Sequence, residues 1–244
     1  MAADLHFYVD PICPFCWLTS KWVRMVGEQR GLTVDWRFIS LRLVNAAVDY
    51  DAQFPPEYEA GHTAGLRLLR VAARTRSEHG PEAVDALYAE LGRRIFDTPP
   101  ARGSQGGVEP EEVRGTAGFV EPVLAAVGLP TELARTLDDA SWDAQIQTET
   151  DEALALTGKD VGTPILHFGP PDGVAFFGPV ISRLPDEESA LELWDHVVGL
   201  ASFPGFAELK RSLRELPQLA GLGVEPGAVG AEEDWHGGSR RQHT

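Results

Sequence analysis

The sequence predicts an α/β protein in which a strand–helix–strand unit, a long helical segment and a strand–strand–helix unit follow one another along the chain. Short runs rich in aromatic and β-branched residues flank a middle segment whose apolar residues recur at helical spacing. A pair of cysteines lies directly after the first of these runs. With 244 residues, the chain is long enough for one core with a sizeable insertion.

The first unit contains two predicted strands joined by a helix. Residues 5–9 are mostly apolar and predict the first strand, whereas residues 17–26 predict the helix. Residues 32–39 alternate apolar and polar side chains, as a half-buried strand does. Two strands connected through a helix pack in parallel with a right-handed crossover, so we expect both strands in one sheet.

Residues 55–158 are predicted to be an all-helical subdomain inserted between the second and third strands. One of its helices carries apolar side chains on a single face, namely Val84, Leu87, Tyr88, Leu91 and Ile95. Residues 97–110 are rich in Gly, Pro and Ser and predict a loop. A further helix is expected over residues 117–127, although it contains Pro122.

Strands return after the helical segment. Residues 165–168 and 174–177 predict two strands, separated by the turn Gly169-Pro170-Pro171-Asp172-Gly173. A helix follows in which one stripe is apolar, formed by Ala190, Leu193, Trp194, Val197, Val198 and Ala201. Ser202 is expected to cap a last helix that continues through Arg214.

The chain therefore divides into three predicted parts. Residues 1–54 and 159–216 form one discontinuous domain, and residues 55–158 form the helical insertion. From Pro217 onward, Pro, Gly and charged residues dominate and no periodic apolar face remains. We therefore expect residues 217–244 to be a disordered tail.

The charge balance argues against two classes of partner. The formal net charge of −16 opposes binding to nucleic acid or to an anionic membrane surface. No apolar run is long enough to span a bilayer, and residues 1–4 carry neither a basic region nor a signal-like apolar segment. Since the chain has no cysteine outside its one pair, we expect a protein of the reducing cytoplasm. No oligomeric state follows from the sequence.

The cysteines, Cys13 and Cys16, lie three residues apart at the strand-to-helix turn. Residues at this spacing share one helix face, and one turn brings Cα atoms within the roughly 4.4–6.8 Å that a disulfide needs. Free N–H groups and the positive end of a helix favour a thiolate at the N-terminus, and Pro14 suits the first helical position. We therefore expect Cys13 to be the nucleophile and Cys16 the resolving thiol of a thiol–disulfide oxidoreductase.

Two other roles for the cysteine pair are open. A structural disulfide would close a loop of only two residues and would add little stability. A zinc site needs four ligands, and the sequence has no second cysteine pair. Histidines would complete such a site only through tertiary contact, and the candidates are His6, His62, His79 and His167. We therefore predict redox chemistry and no metal.

A second signature precedes the third predicted strand. Without its helical block, the element order is that of a thioredoxin-like fold, in which a cis-proline loop lies beside the cysteines. Thr163-Pro164 occupies the position of that loop. Only about 5–6% of X–Pro bonds in folded proteins are cis, but this location favours the cis form. We expect the two residues to hold an extended substrate next to Cys13.

These features resemble the DsbA-like branch of the thioredoxin superfamily, through the helical insertion, Thr163-Pro164 and Cys13-Pro14-Phe15-Cys16-Trp17. Within that branch, the chain closely resembles the mycothiol-dependent nitroreductase family of actinobacteria. The resemblance covers about residues 5–214, and its most specific stretch is residues 173–183. It implies a thioredoxin-like fold with an inserted all-helical subdomain (DsbA-like).

The resemblance also implies a function. It implies a cytosolic oxidoreductase whose cysteine pair cycles between dithiol and disulfide and is recharged by mycothiol, with no tightly bound cofactor. The implied electron acceptor is a disulfide or a small electrophile such as a nitroaromatic. The residues expected to bind substrate are Pro14, Phe15, Trp17, Asn45, Tyr58, Thr163 and Pro164. The alternatives are a turn role for Asn45 and a packing role for Tyr58.

The chain departs from this family's pattern at Phe15, where members often carry tryptophan. Phenylalanine keeps an aromatic ring but lacks the indole N–H donor. Because residue 15 borders both sulfur atoms, we expect substrate choice and reduction potential to depend on it.

Two further functions would use the same fold. Kappa-class transferases and chromene carboxylate isomerases activate a bound thiol with a lone hydroxyl or thiol. The presence of both Cys13 and Cys16 argues against that class. A redox-sensing or chaperone module would instead change conformation on oxidation without turnover.

Overall fold

The computed structural model describes residues 3–54, 57–99, 111–158, 161–210, 213–215, 217–224 and 232–234. Its strands are β1 (Leu5–Val9), β2 (Val34–Phe38), β3 (Ile165–Phe168), β4 (Val174–Phe177), β5 (Leu213–Glu215) and β6 (Glu232–Asp234). Its helices are α1 (Pro14–Arg30), α2 (Leu41–Val44), α3 (Tyr50–Gln53), α4 (Glu57–His79), α5 (Pro81–Gly92), α6 (Glu111–Arg114), α7 (Ala117–Ala126), α8 (Asp143–Thr157) and α9 (Glu187–Ala201). Within these described ranges, no helix is both long and apolar enough to cross a membrane.

The first four strands form one sheet in the order β2-β1-β3-β4. Strand β1 runs parallel to β2, whereas β3 is antiparallel to both β1 and β4. Helix α1 connects β1 to β2, helices α2 to α8 lie between β2 and β3, and α9 follows β4. The predicted thioredoxin-like fold with a helical insertion is therefore confirmed.

Alternate residues of β1 divide between the two faces of the sheet. The larger core takes every second residue of this strand, Leu5, Phe7 and Val9. Tyr8 lies on the opposite face, in a smaller buried cluster with Ile39, Ala153 and Ile165. Packed residues cover both faces of the sheet at β1, so a ligand can approach it at the ends of the strands. Cys13 follows the C-terminal end of β1.

Helix α1 begins and ends at residues whose conformations favour those boundaries. Cys13 is the N-cap, and Pro14 occupies the first turn. Gly31 ends the helix with a φ of 67°, a left-handed conformation that glycine adopts readily. The Trp22 indole N–H donates to the Ala190 carbonyl oxygen at 2.9 Å, which fixes α1 against α9. The cysteines therefore lie at the start of a helix that is anchored in the core.

A buried ion pair fixes the inserted helices to the sheet. The Glu149 carboxylate of α8 bonds with the Arg76 guanidinium of α4. The same carboxylate accepts the Phe38 N–H of β2 at 2.9 Å. Glu149 is 6% exposed, so this contact is largely removed from water. Three segments that are distant in sequence thus meet at one carboxylate.

The prediction of a last helix from Ser202 through Arg214 is wrong. Helix α9 ends at Ala201, and Ser202 is its C-cap. Pro204 lacks an N–H donor, and Gly205 adopts a φ of 87° that a right-handed helix does not permit. Strand β5 forms instead at the end of this region and pairs in antiparallel fashion with β6.

Part of the predicted tail packs on the core, which differs from the expected disorder. Leu219 is 2% exposed, and Gly221 lies so close to the Phe96 backbone that a Cβ atom would overlap it. A single buried leucine leaves no periodic pattern, so this contact was not predictable from the order of residues. Some expected loop and tail residues lie outside the described residues, namely 100–110, 225–231 and 235–244.

Candidate active site

The cysteine pair caps helix α1. Both cysteines are free thiols, and the Cys13 Sγ accepts the Cys16 N–H at 3.4 Å. Cys13 has a φ of −85° and a ψ of 114°, the extended conformation that an N-cap residue adopts. Cys13 is 6% exposed and Cys16 is 0% exposed. An incoming sulfur atom therefore meets Cys13 first.

The two thiols have different acidities. Burial raises the pKa of Cys13, but the Cys16 and Thr163 side chains and the Cys16 N–H outweigh burial and leave that pKa below its ordinary value. Burial raises the pKa of Cys16 well above its ordinary value, and the neighbouring Cys13 sulfur raises it further. Thiolate therefore forms at Cys13, while Cys16 keeps its proton until it reacts.

The loop before β3 lies beside the nucleophile. The Thr163–Pro164 peptide bond is cis, and the Thr163 carbonyl oxygen is 3.9 Å from the Cys13 Sγ. The Gly178 N–H donates to the Pro164 carbonyl oxygen at 2.9 Å, which holds the loop against the segment after β4. Thr163 is 6% exposed, and its side chain lies close enough to Cys13 to lower the pKa of that thiol. The structure thus brings the predicted cysteine and proline segments together.

A buried carboxyl group lies in the turn before the nucleophile. Asp10 is 0% exposed, and its carboxyl accepts the Ile12 N–H at 3.1 Å and the Leu41 N–H at 2.8 Å. Its backbone carbonyl oxygen accepts the Cys13 N–H at 3.0 Å. Burial raises the pKa of Asp10 to about 7, although both backbone donors act in the opposite direction. Our sequence reasoning assigned no role to this residue; its only signal was a carboxylate three residues before Cys13.

Asn45 lies at the end of the short helix α2. It is 1% exposed, and its side-chain amide donates to the Leu41 carbonyl oxygen at 2.7 Å. Ser40 caps the other end of the helix by accepting the Leu43 N–H at 3.4 Å. The Asn45 contact stabilises the turn after α2, as expected if Asn45 has a turn role and not a role in substrate binding. Its helix is joined to the Cys13 turn through the bond between Leu41 and Asp10.

Tyr58 lies in an aromatic cluster at the start of α4. Its ring stacks on Phe54 at 5.5 Å between centroids, and its exposed fraction is 41%. His62 packs edge-on against Tyr58 at 5.7 Å, and the His62 Nδ1 is 2.9 Å from the Tyr50 hydroxyl. Tyr58 therefore presents one part of its ring to solvent and another to its aromatic neighbours.

Trp17 lies in the core. A residue that contacts substrate is expected on an open surface. Trp17 is 4% exposed, and its indole N–H donates to the Asp97 carboxylate at 3.0 Å. Lys21 binds the same carboxylate at 2.8 Å, and Gly92 lies so close to the indole that a Cβ atom would overlap the ring. Because its polar edge already has a partner, Trp17 positions helix α1. Phe15, by contrast, is half-buried at the helix start.

The structure also bears on the metal alternative. Among the described residues, no three His, Cys, Asp or Glu side chains are grouped as metal ligands. His167 pairs with His6 across β3 and β1, with ring centroids 5.7 Å apart, in the middle of the sheet.

Comparison with known proteins identifies relatives along most of the chain. Residues 12–211 match the model of the family described as Rv2466c-like, mycothiol-dependent nitroreductase Rv2466c. The uncharacterized protein Rv2286c of Mycobacterium tuberculosis is 31% identical over 209 residues, which is 85% of this chain and 80% of that protein.

Two solved structures are more distantly similar. The cytosolic disulfide reductase DsbM from Pseudomonas aeruginosa is 17% identical, with a TM-score of 0.47, and the match covers 81% of this chain and 99% of that one. DsbA from Chlamydia trachomatis is 11% identical, with a TM-score of 0.46, and the match covers 82% of this chain and 90% of that one.

Proposed function

Since this chain belongs to the mycothiol-dependent nitroreductase family, we propose that it is a thiol–disulfide oxidoreductase whose Cys13–Cys16 pair is recharged by mycothiol. One observation carries the proposal. Cys13, whose thiol pKa is lowered, caps helix α1, and Cys16, whose thiol pKa is raised, is buried one turn further along the same helix. This asymmetry gives one sulfur the role of nucleophile and the other the role of resolving thiol.

The reductive half of the cycle begins at Cys13. Its thiolate attacks a substrate disulfide, a mixed disulfide forms at Cys13, and the first substrate thiolate leaves. Cys16 then loses its proton and attacks the Cys13 sulfur, so the intramolecular disulfide forms and the second substrate thiol is released. In total the dithiol supplies two electrons and two protons.

Two molecules of mycothiol complete the cycle. The thiolate of the first attacks the Cys13 sulfur, forms a mixed disulfide there and releases Cys16 as a thiol. The second attacks that mixed disulfide, so mycothiol disulfide leaves and the Cys13–Cys16 dithiol returns. Two electrons thus pass from mycothiol to the protein.

A nitroaromatic is the second class of acceptor that we propose, and the family's description supports it. Two electrons and two protons from the dithiol convert a nitro group into a nitroso group and water. The protein is left with the same Cys13–Cys16 disulfide, so the mycothiol half of the cycle is unchanged.

The Thr163–Pro164 loop is our proposed substrate contact. Its carbonyl oxygen lies 3.9 Å from the Cys13 Sγ, so a substrate held along this loop has its sulfur next to the nucleophile. The Thr163 hydroxyl is buried next to the Cys13 thiol, and a hydroxyl at this place can donate a hydrogen bond to substrate. We assign Pro14, Phe15, Asn45 and Tyr58 to the remaining walls of the same site. A cytoplasmic location fits this cycle, because mycothiol must keep the pair reduced.

The Cys16→Ser variant tests this function. Incubated with mycothiol disulfide, the reduced variant is expected to retain mycothiol on Cys13, because no second thiol resolves the mixed disulfide. Mass spectrometry of the intact protein then records one bound mycothiol. The Cys13→Ser variant is the matched control and is expected to bind none. Full thiol-dependent turnover by Cys13→Ser would overturn the proposal, and turnover by Cys16→Ser would favour a kappa-class-like transferase.

A further inference from the structure

Asp10 is the one fully buried carboxylate next to the cysteine pair in the described part of the chain, and the cycle above does not use it. Its carboxyl joins three segments. It accepts the N–H of Ile12 in the Cys13 turn and the N–H of Leu41 at the start of α2. A Cβ atom on Gly65 of α4 would lie 2.5 Å from its Oδ1, so helix α4 closes over it without space for a side chain.

We propose that Asp10 is a positioning residue for thiol exchange: its carboxyl fixes the Cys13 turn to α2 and α4, and its negative charge opposes the thiolate of Cys13. The proposal rests on the proposed function, since it concerns the nucleophile of that cycle. It adds a residue outside the substrate contacts described above.

The hydrogen bonds support the positioning role. A carboxylate accepts two backbone N–H groups from different segments, whereas an amide offers one acceptor oxygen. Loss of either bond would leave a buried N–H without a partner. The Cys13 N–H also donates to the Asp10 backbone, so a shift of Asp10 moves the nucleophile. Because α2 ends at Asn45, the same carboxyl joins the proposed substrate pocket to the cysteine turn.

The charge role follows from burial. A like charge disfavours ionisation of its neighbour, and water does not screen this pair well because both groups are buried. Asp10 raises the pKa of Cys13, against the hydrogen bonds that lower it. Within the part of the chain that the structure describes, Cys16 and Tyr88 also interact with the Cys13 thiol, and both are neutral near pH 7 because burial raises their pKa values well above the ordinary range. Asp10 and Cys13 therefore titrate as a coupled pair.

The rate at which Cys13 reacts with iodoacetamide, followed from pH 5 to pH 9 by mass spectrometry, measures its thiolate directly. Asp10→Asn removes the charge, and we expect the midpoint of the rate–pH curve to fall by about one pH unit. Because the pKa of Asp10 is about 7, the gain in thiolate should appear above pH 7, where Asp10 is ionised in the wild type, and the two curves should converge at lower pH. Asp4→Asn is the matched control. Its exposed carboxylate accepts the Thr33 N–H at 2.8 Å but is remote from the cysteines, so its curve should match the wild type. Coincident curves for the two variants would overturn the proposal.

Two further measurements keep the test decisive if Asp10→Asn does not fold. The wild-type curve should be broader than a single-proton titration, and a single-proton curve would overturn the proposal. Gly65→Ala displaces the carboxyl without changing its charge, and we expect at least a tenfold loss of thiol-dependent turnover without a lower midpoint of the rate–pH curve.

The alkylation of Cys13 requires no mycothiol, so it tests the role of Asp10 separately from the proposed function. A chain that mycothiol fails to reduce, but that shows the coupled curve, would contradict the proposed function and leave the role of Asp10 standing.

Discussion

The carbonyl oxygen of Thr163 lies 3.9 Å from the Sγ of Cys13, although 150 residues separate them. This contact places a backbone acceptor beside the first atom that a disulfide substrate meets. The whole helical insertion lies between these two residues in the chain. The geometry of the site therefore depends on how that insertion packs against β1, β2 and helix α1.

Gly92 supplies one such packing contact, and replacement by alanine tests it. A Cβ atom at residue 92 would overlap the Trp17 ring, so Gly92→Ala should shift helix α1 or α5 and destabilise the protein by about 2 kcal/mol. Urea unfolding followed by tryptophan fluorescence measures the change. Gly199→Ala is the control, because residue 199 of α9 has open space around it and alanine favours a helix. Equal stability of the two variants would contradict the assigned contact.

Glu149 holds the insertion on the sheet. Glu149→Ala leaves the Arg76 guanidinium and the Phe38 N–H without their buried acceptor, and we expect the free energy of unfolding to fall by about 3 kcal/mol. Glu59→Ala removes a carboxylate from an exposed pair with Arg42 and should change stability by less than about 1 kcal/mol. Denaturant unfolding of both variants separates these outcomes. If Glu149→Ala lowers the free energy of unfolding no more than Glu59→Ala does, Glu149 does not hold the insertion on the sheet.

Leu219 tests whether the segment after Pro217 belongs to the core. Its side chain is 2% exposed, so Leu219→Ala should lower the free energy of unfolding by about 3 kcal/mol. Leu209 is 80% exposed, and Leu209→Ala makes the same chemical change with an expected effect within about 0.5 kcal/mol. Thermal or urea unfolding distinguishes the two. If Leu219→Ala is as stable as Leu209→Ala, the tail is not part of the fold.

The buried Asp10 makes stability depend on pH in a defined direction. Its folded pKa of about 7 exceeds the ordinary value of 3.8, so the folded state holds a proton that the unfolded state releases. The stabilisation is complete below about pH 4 and is lost as pH rises through 7. Relative to Asp10→Asn, the wild type should lose about 2.6 kcal/mol between pH 5 and pH 8. A difference between the two proteins that is constant over this range would contradict the raised pKa.

The local features of the site were predictable, and the tertiary ones were not. Cys13, Pro14 and Cys16 sit in one strand-to-helix turn, where spacing and helix-end chemistry determine their roles. Thr163 was predictable because a proline loop before a strand is also a local pattern. Asp10 was missed because a carboxylate in a turn is usually solvated, and its burial depends on Gly65, which lies in another helix.

Tertiary contacts also explain where the structure adds to the prediction. The family resemblance implies that Trp17 binds substrate, and the structure shows in addition that Gly92 and Asp97 of the insertion enclose its ring and its N–H. Leu219 lies in a segment without apolar periodicity, yet it belongs to the larger buried core, and Gly221 beside it meets the Phe96 backbone. Periodicity describes the face of an element and carries no information on single contacts of this kind.

Reduction of the oxidised protein tests the central claim most directly. The Cys13–Cys16 disulfide is formed, excess oxidant is removed, and equal concentrations of mycothiol or glutathione are added while free thiols are counted over time. The proposed cycle predicts that mycothiol restores two thiols per chain faster than glutathione does, with mycothiol disulfide as the product. Reduction by glutathione at an equal or higher rate, or no return of thiols with mycothiol, would contradict it.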